Sequence, residues 1–182
     1  MTQINPGTAT TVSLYDLSVS NYLQTLGAVR GFLDKAQAHF RESNLALDEI
    51  VETRLYADML PFRFQIQSVV HHSVGAIEGI QQGVFRPPQN LANHSYPELQ
   101  GLVADAQRTL QELAPEAVNA RAGGDVIFEI RGTKVPFTTE GFLLSFSLPN
   151  FYFHATTAYD ILRSKGAPVG KRDYLGRMRV KS

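Results

Sequence analysis

The sequence predicts an all-α fold, an up-and-down four-helix bundle with a small β-hairpin before the last helix. Three observations carry that expectation. Apolar residues return every three or four positions over several long stretches, one short stretch alternates instead, and 182 residues suffice for one hydrophobic core. Residues 1–182 are read as a single domain, because no internal repeat or low-complexity linker divides them.

The first helix is the clearest. Tyr15, Val19, Tyr22, Leu26, Val29, Leu33, Ala36 and Phe40 keep one stripe on one side, and the Ser13 hydroxyl is placed to cap an unpaired N–H of the first turn. Residues 42–60 are less regular and admit a short helix followed by a loop. A second helix follows Pro61, with Phe62, Ile66, Val69, Ser73, Ala76 and Ile80 on one face, and runs to about Val84. Pro87 and Pro88 cannot donate to a continuing helix. Ser95 with Glu98 forms a capping box for the third helix, whose face is Leu99, Leu102, Ala106, Leu110 and Leu113. Val126, Phe128 and Ile130 then alternate toward Gly132, the pattern of a hairpin. A short helical segment capped by Thr138 or Thr139 precedes the last helix, which starts near Ser147, tolerates Pro149 in its first turn and stops at Gly166. The GAPVG stretch reads as the stop, followed by an extended tail.

Composition excludes several functions. The 17 Lys and Arg balance 17 Asp and Glu along the chain, so no electrostatic footprint for nucleic acid or an anionic membrane is visible. The most apolar run, GFLLSFSLPNFYF, falls short of the roughly 20 residues a membrane span needs. The N-terminus lacks the basic start and apolar run of a secretory leader, so the expected compartment is the cytoplasm, and the Asn93 sequon has no secretory route to serve. Cysteine is absent, which removes disulfides, thiolate metal sites and thiol nucleophiles. Any metal must be held by His, carboxylate or amide groups.

The candidate site lies on the second and last helices. Successive helix residues are about 100° apart, so His71 and His72 face different ways. His71 falls with Arg63, Gln67 and Glu78 on the polar side; His72 falls with Gln65, Ser68, Ala76 and Gly79 at the shoulder of the core stripe and is the better inward candidate. On the last helix Phe151, Ala155, Ala158 and Leu162 mark the core face, and His154 sits at its edge one turn after Asn150. A bundle can bring His72 and His154 together. Two readings stay open: a metal site built from the imidazoles and the Asn150 amide, or a buried histidine hydrogen-bonded to Asn150, Ser147 or Thr157. A catalytic metal site usually has three protein ligands and an open position, whereas this set has two imidazoles and a neutral amide. His39 and His94 have no ligand-like neighbours. No phosphate loop, nucleophile-elbow serine or Cys–His pair is present, and Asp16, Asp58 and Asp160 read as caps or solvated carboxylates.

The stretches RLYADMLPFRFQIQ (Arg54 to Gln67) and LPNFYFHATTAYDILRSKGAPVGKRDYLG (Leu148 to Gly176) resemble an uncharacterised family of small bacterial and fungal proteins in the DinB-like superfamily. The likeness runs from the first helix to Gly176, and Gly170 to Gly176 is its most specific part. It implies a DinB-like four-helix bundle, often a homodimer. In that superfamily a second-helix histidine and a His-x-x-x-His pair on the last helix bind a divalent metal, zinc or nickel, and some members are thiol-dependent transferases or isomerases. By that resemblance His154 stands for the second histidine of the pair, Asn150 occupies the place of the first, and His71 or His72 supplies the second-helix ligand. Three functions follow as expectations: a small-molecule pocket beside a degenerate metal site, a metal-dependent transferase or isomerase, and a non-enzymatic dimeric interaction module. Lys171, Arg172 and Asp173 are expected to pin the tail by charge-assisted hydrogen bonds.

Overall fold

The structure, a computed structural model, describes residues 12–88 and 92–181. Residues 1–11 of the stretch read for a leader, and Gln89 and Asn90 of the proline loop, lie outside it. The chain is mostly helical with a small three-stranded sheet. Helix α1 (Leu14–Leu17) starts at Ser13, whose hydroxyl accepts from the Asp16 amide at 3.1 Å while the Asp16 carboxylate accepts from the Ser13 N–H at 3.2 Å. Ser18 separates it from α2 (Val19–Glu42), and α3 (Leu47–Val51) is the short helix of the irregular region. Helix α4 (Phe62–Val70) passes through a π-helical turn (His71–Gly75) into α5 (Ala76–Gln82), then strand β1 (Val84–Phe85). Next come α6 (Tyr96–Gln111), opened by the Ser95 and Glu98 capping box, and α7 (Pro115–Asn119). Strands β2 (Asp125–Ile130) and β3 (Thr133–Thr138) lead into α8 (Thr139–Phe142), a second π turn (Leu143–Ser147), α9 (Leu148–Ser164) and α10 (Lys171–Leu175).

The apolar stripes decide the packing. Helix α2 lies on α6 and α9, and α4 lies on the same two, so each long helix buries its stripe against two others. Tyr22, Phe32, Phe40, Phe62, Tyr96 and Phe151 are fully buried between them. Each such side chain contributes about 1.5–3 kcal/mol relative to an exposed one.

Four sequence expectations need correction. The second helix ends at Gln82, not Val84: the chain reverses at Gly83 (φ 74°), and Val84 and Phe85 become a strand parallel to Ile127 and Phe128. The hairpin therefore carries a third strand. A Cβ at Gly79 would sit 3.1 Å from the Phe85 side chain, so glycine here lets β1 lie close on α5 without displacing that ring. The segment before the last helix is not separate, since residues 139–164 are continuously helical through the π turn; Thr138 caps them by accepting from the Gly141 N–H. Nor is the tail extended. Asp173 accepts from the Gly170 N–H at 2.7 Å and from Lys35 at 3.1 Å, which winds α10 and seats it on α2. Lys171 and Arg172 form no ion pair among the described residues. No helix among those residues is long and apolar enough to cross a membrane.

Candidate functional site

Both π turns lie at one level, and the site is built on them. A π turn interrupts the regular i to i−4 ladder, and the groups it frees need side-chain partners. Ser147, closing the second π turn, donates its hydroxyl to the His72 carbonyl in the first at 2.8 Å and lies 3.0 Å from the Tyr22 hydroxyl. Ser73 donates back to the Val69 carbonyl at 2.8 Å. The backbone around His72 is thereby held by Ser73 of its own turn and by Ser147 of the facing one.

Beside these turns is a cavity of about 280 Å³ lined by His71, His72, Asn150 and His154, with Phe64, Phe85, Phe128 and Phe146 as its aromatic walls. All four sequence-predicted site residues therefore meet in one space. His72 and His154 are buried, and their rings lie nearly parallel with centroids 5.8 Å apart. His71 is not a solvated residue of the polar face as its helical position suggested. The β1 strand folds over it, its ring lies 4.5 Å from that of Phe85, and its Nε2 is buried without a hydrogen-bond partner. The Nδ1 of His72 is likewise buried and unpartnered.

His154 does find a partner, though not Asn150, Ser147 or Thr157. Its Nδ1 lies 2.8 Å from Oε1 of Gln65 on the facing helix, while Nε2 of Gln65 donates to the Leu60 carbonyl at 2.9 Å. The Leu60 contact fixes which end of the amide is which. With Oε1 toward the ring, Nδ1 must carry the proton and donate, which leaves Nε2 of His154 as the lone-pair nitrogen. Asn150 donates instead to the Phe146 carbonyl one turn back, at 2.7 Å.

Burial pushes the imidazoles toward neutrality. His72 is pulled down to about 3, first by desolvation and then by the neighbouring His71 and His154, and His154 falls to about 4 by desolvation. His71 is lowered for the same reason. Among the described residues no Lys, Arg, Asp or Glu lines the cavity, so at neutral pH it presents uncharged nitrogens in an aromatic frame.

Against a divalent metal this donor set fits poorly. The imidazoles are neutral, as ligands must be, but the remaining donor is an amide and no carboxylate offsets a double positive charge. Among the described residues no group of three His, Cys, Asp or Glu could hold a metal ion. From the sequence, Ser147 is named only as a partner for His154 and Phe128 only as a strand residue, and Gln65, Phe64, Phe85 and Phe146 are not placed in the site. The i−4 to i spacing of Phe142, Phe146 and Asn150 was the available signal for Phe146, whereas Gln65 pairs with His154 across 89 positions and leaves no local trace.

Residues 14–175 match a family model described as a domain of unknown function, DUF1993. No curated protein matches the sequence. Among solved structures, the crystal structure of a DinB family member protein from Shewanella denitrificans is similar, with a TM-score of 0.81 and 28% sequence identity over 93% of this chain and 95% of that one. A mostly helical chain with three of its five histidines gathered between the second and last long helices, matched by that model along nearly its whole length, belongs to DUF1993, an uncharacterised DinB-like family.

Proposed function

We propose that the four long helical runs form an up-and-down bundle and that the cavity between α4 and α9 binds a small, largely apolar molecule through its imidazoles. The observation that carries this reading is the Leu60–Gln65–His154 chain of hydrogen bonds. It holds one imidazole in a single tautomer, beside a second, His72, whose Nδ1 has no protein partner. Buried polar atoms are ordinarily satisfied, so such a nitrogen in an aromatic cavity suits a ligand that supplies the missing hydrogen bond. The test is binding of the neutral fluorophore N-phenyl-1-naphthylamine. Saturable binding to the native chain, lost in Asn150→Trp where the indole ring fills the space, is expected. Absence of saturable binding, or binding indifferent to that substitution, overturns the reading.

A second reading, the metal-dependent transferase or isomerase, is favoured by the 5.8 Å approach of the His72 and His154 rings. Elemental analysis with zinc and nickel titration during thermal unfolding separates the two. Stoichiometric metal with a raised melting temperature in the native protein would replace the pocket reading. Metal affinity appearing only in Asn150→His would support a degenerate site.

A further inference from the structure

Next to the histidine cavity lies a larger recess of about 650 Å³ whose charged lining is Arg86, Glu129, Arg131 and Lys134. Pro87 and Pro88 line both spaces, so the two share a wall. The strand ladder explains the change of chemistry across that wall. Phe85 and Phe128 are register partners and both face the apolar cavity. The pleat turns the next residue of each strand to the other side, where Arg86 and Glu129 form an ion pair at 2.6 Å. Lys134, opposite Glu129 on β3, approaches the same carboxylate at 3.2 Å.

One carboxylate thus serves two cations, and Arg131 has no ion-pair partner among the described residues. Three positive side chains against one negative leave the recess with a formal surplus of two. Residues 1–11 and 89–91, which lie outside the described structure, contain no Asp or Glu to offset it. Arg131 is also a costly choice for its position. It has φ 49° at the first central residue of the β2–β3 turn, with Gly132 at φ 80° after it, and in such a turn Asn or Gly adopts that backbone more easily. That strained backbone places Arg131 in the lining of the recess.

We infer that this recess is the anion-binding end of the pocket, and that the ligand is amphipathic: an apolar body among the cavity phenylalanines, and a terminal carboxylate or phosphate held by Arg86, Arg131 and Lys134. The inference rests on the cavity reading above, because among the described residues the cavity has no charged side chain of its own and the adjoining recess supplies three cations.

The experiment is displacement of N-phenyl-1-naphthylamine from the full chain by octanoate, octyl phosphate and octanol. An anion is expected to displace the probe at roughly tenfold lower concentration than octanol, with an advantage that shrinks as salt rises. The order of octanoate and octyl phosphate identifies the head group. Arg131→Asn should weaken displacement by the anions roughly fivefold, leave octanol unchanged, and hold or slightly raise the melting temperature because the turn is relieved. Equal potency of octanol and both anions, or anion displacement unchanged in Arg131→Asn and in Lys134→Gln, overturns the inference while the cavity reading stands. Anions that bind calorimetrically without displacing the probe also overturn it, as two separate sites. If the probe itself does not bind, the cavity reading fails and this inference with it.

Discussion

The α2–α6 side and the α4–α9 side of the molecule are built from similar amphipathic helices and treated in opposite ways. Helix α2 runs 24 residues without interruption, and its contacts with α6 are matched. Tyr96 donates to the Leu33 carbonyl at 2.9 Å while its ring stacks on Phe62, and Gln100 links Gln37 and Asp34. On the other side, both helical runs break into π turns at the same level, two histidine nitrogens are buried without partners, and the space between is left open. Local rules are broken more densely in one place than in the other, where Nδ1 of His94, just before α6, is the one such nitrogen among the described residues. Such concentration marks the α4–α9 side as the half shaped by something other than folding.

The largest test compares two phenylalanines. Phe32, fully buried on α2, should cost about 3–5 kcal/mol when replaced by Ala, because its neighbours cannot collapse into the space. Phe146 borders a cavity that already exists and is only half-buried, so Phe146→Ala should cost about 1–2 kcal/mol. Urea unfolding reads both. Equal losses would mean that the cavity wall is ordinary core and would erase the contrast.

Acid provides the next test. The folded values of about 3 for His72 and about 4 for His154 lie below the ordinary 6.5, so between pH 6.5 and 4 the unfolded chain takes up protons that the folded chain refuses. Stability is therefore fully present above pH 6.5 and declines as pH falls through that window. By pH 4.5 the loss from one such histidine reaches about 3 kcal/mol. His72→Gln and His154→Gln should each flatten the decline, whereas a native urea midpoint constant from pH 7 to 4.5 would show that these imidazoles are more solvated than the cavity geometry implies.

The same contrast explains what the sequence revealed. The stripes of α2 and α6 and the Ser95 box were readable because a helix that only packs repeats its pattern every turn. His72, Asn150 and His154 were legible as residues, since each stands out on an apolar face. The geometry around them was not. A π turn inserts its extra residue without a sequence mark, and His71 leaves the polar face only because Phe85 of β1 packs on its ring. A strand of two residues, Val84 and Phe85, is shorter than any alternating window, and its partner lies some forty positions away. Gln65 looked like a shoulder residue until the facing helix placed His154 against it. Local periodicity encodes the half of the fold that repeats; the site depends on pairings between distant segments.

The smallest effect concerns the tail, which belongs to the packed side. Gly176 has φ 60° and ψ −146°, a backbone region that side chains disfavour, and a Cβ there would meet the Ala28 Cβ of α2 at 3.0 Å and the Gln24 carbonyl at 3.4 Å. Gly170, at the other end of α10, has an ordinary extended backbone and nothing nearer than 3.8 Å. Gly176→Ala should therefore cost about 1–2 kcal/mol and Gly170→Ala under about 0.5 kcal/mol, although both glycines belong to the same terminal motif. Fluorophore binding sharpens the point. If the two sides are independent, Gly176→Ala lowers the urea midpoint and leaves cavity affinity where it was, since separated sites add. A drop in affinity would mean that the packed side transmits its strain through α2 to Tyr22 and Ser147, and that the hydroxyl contact between them couples the halves.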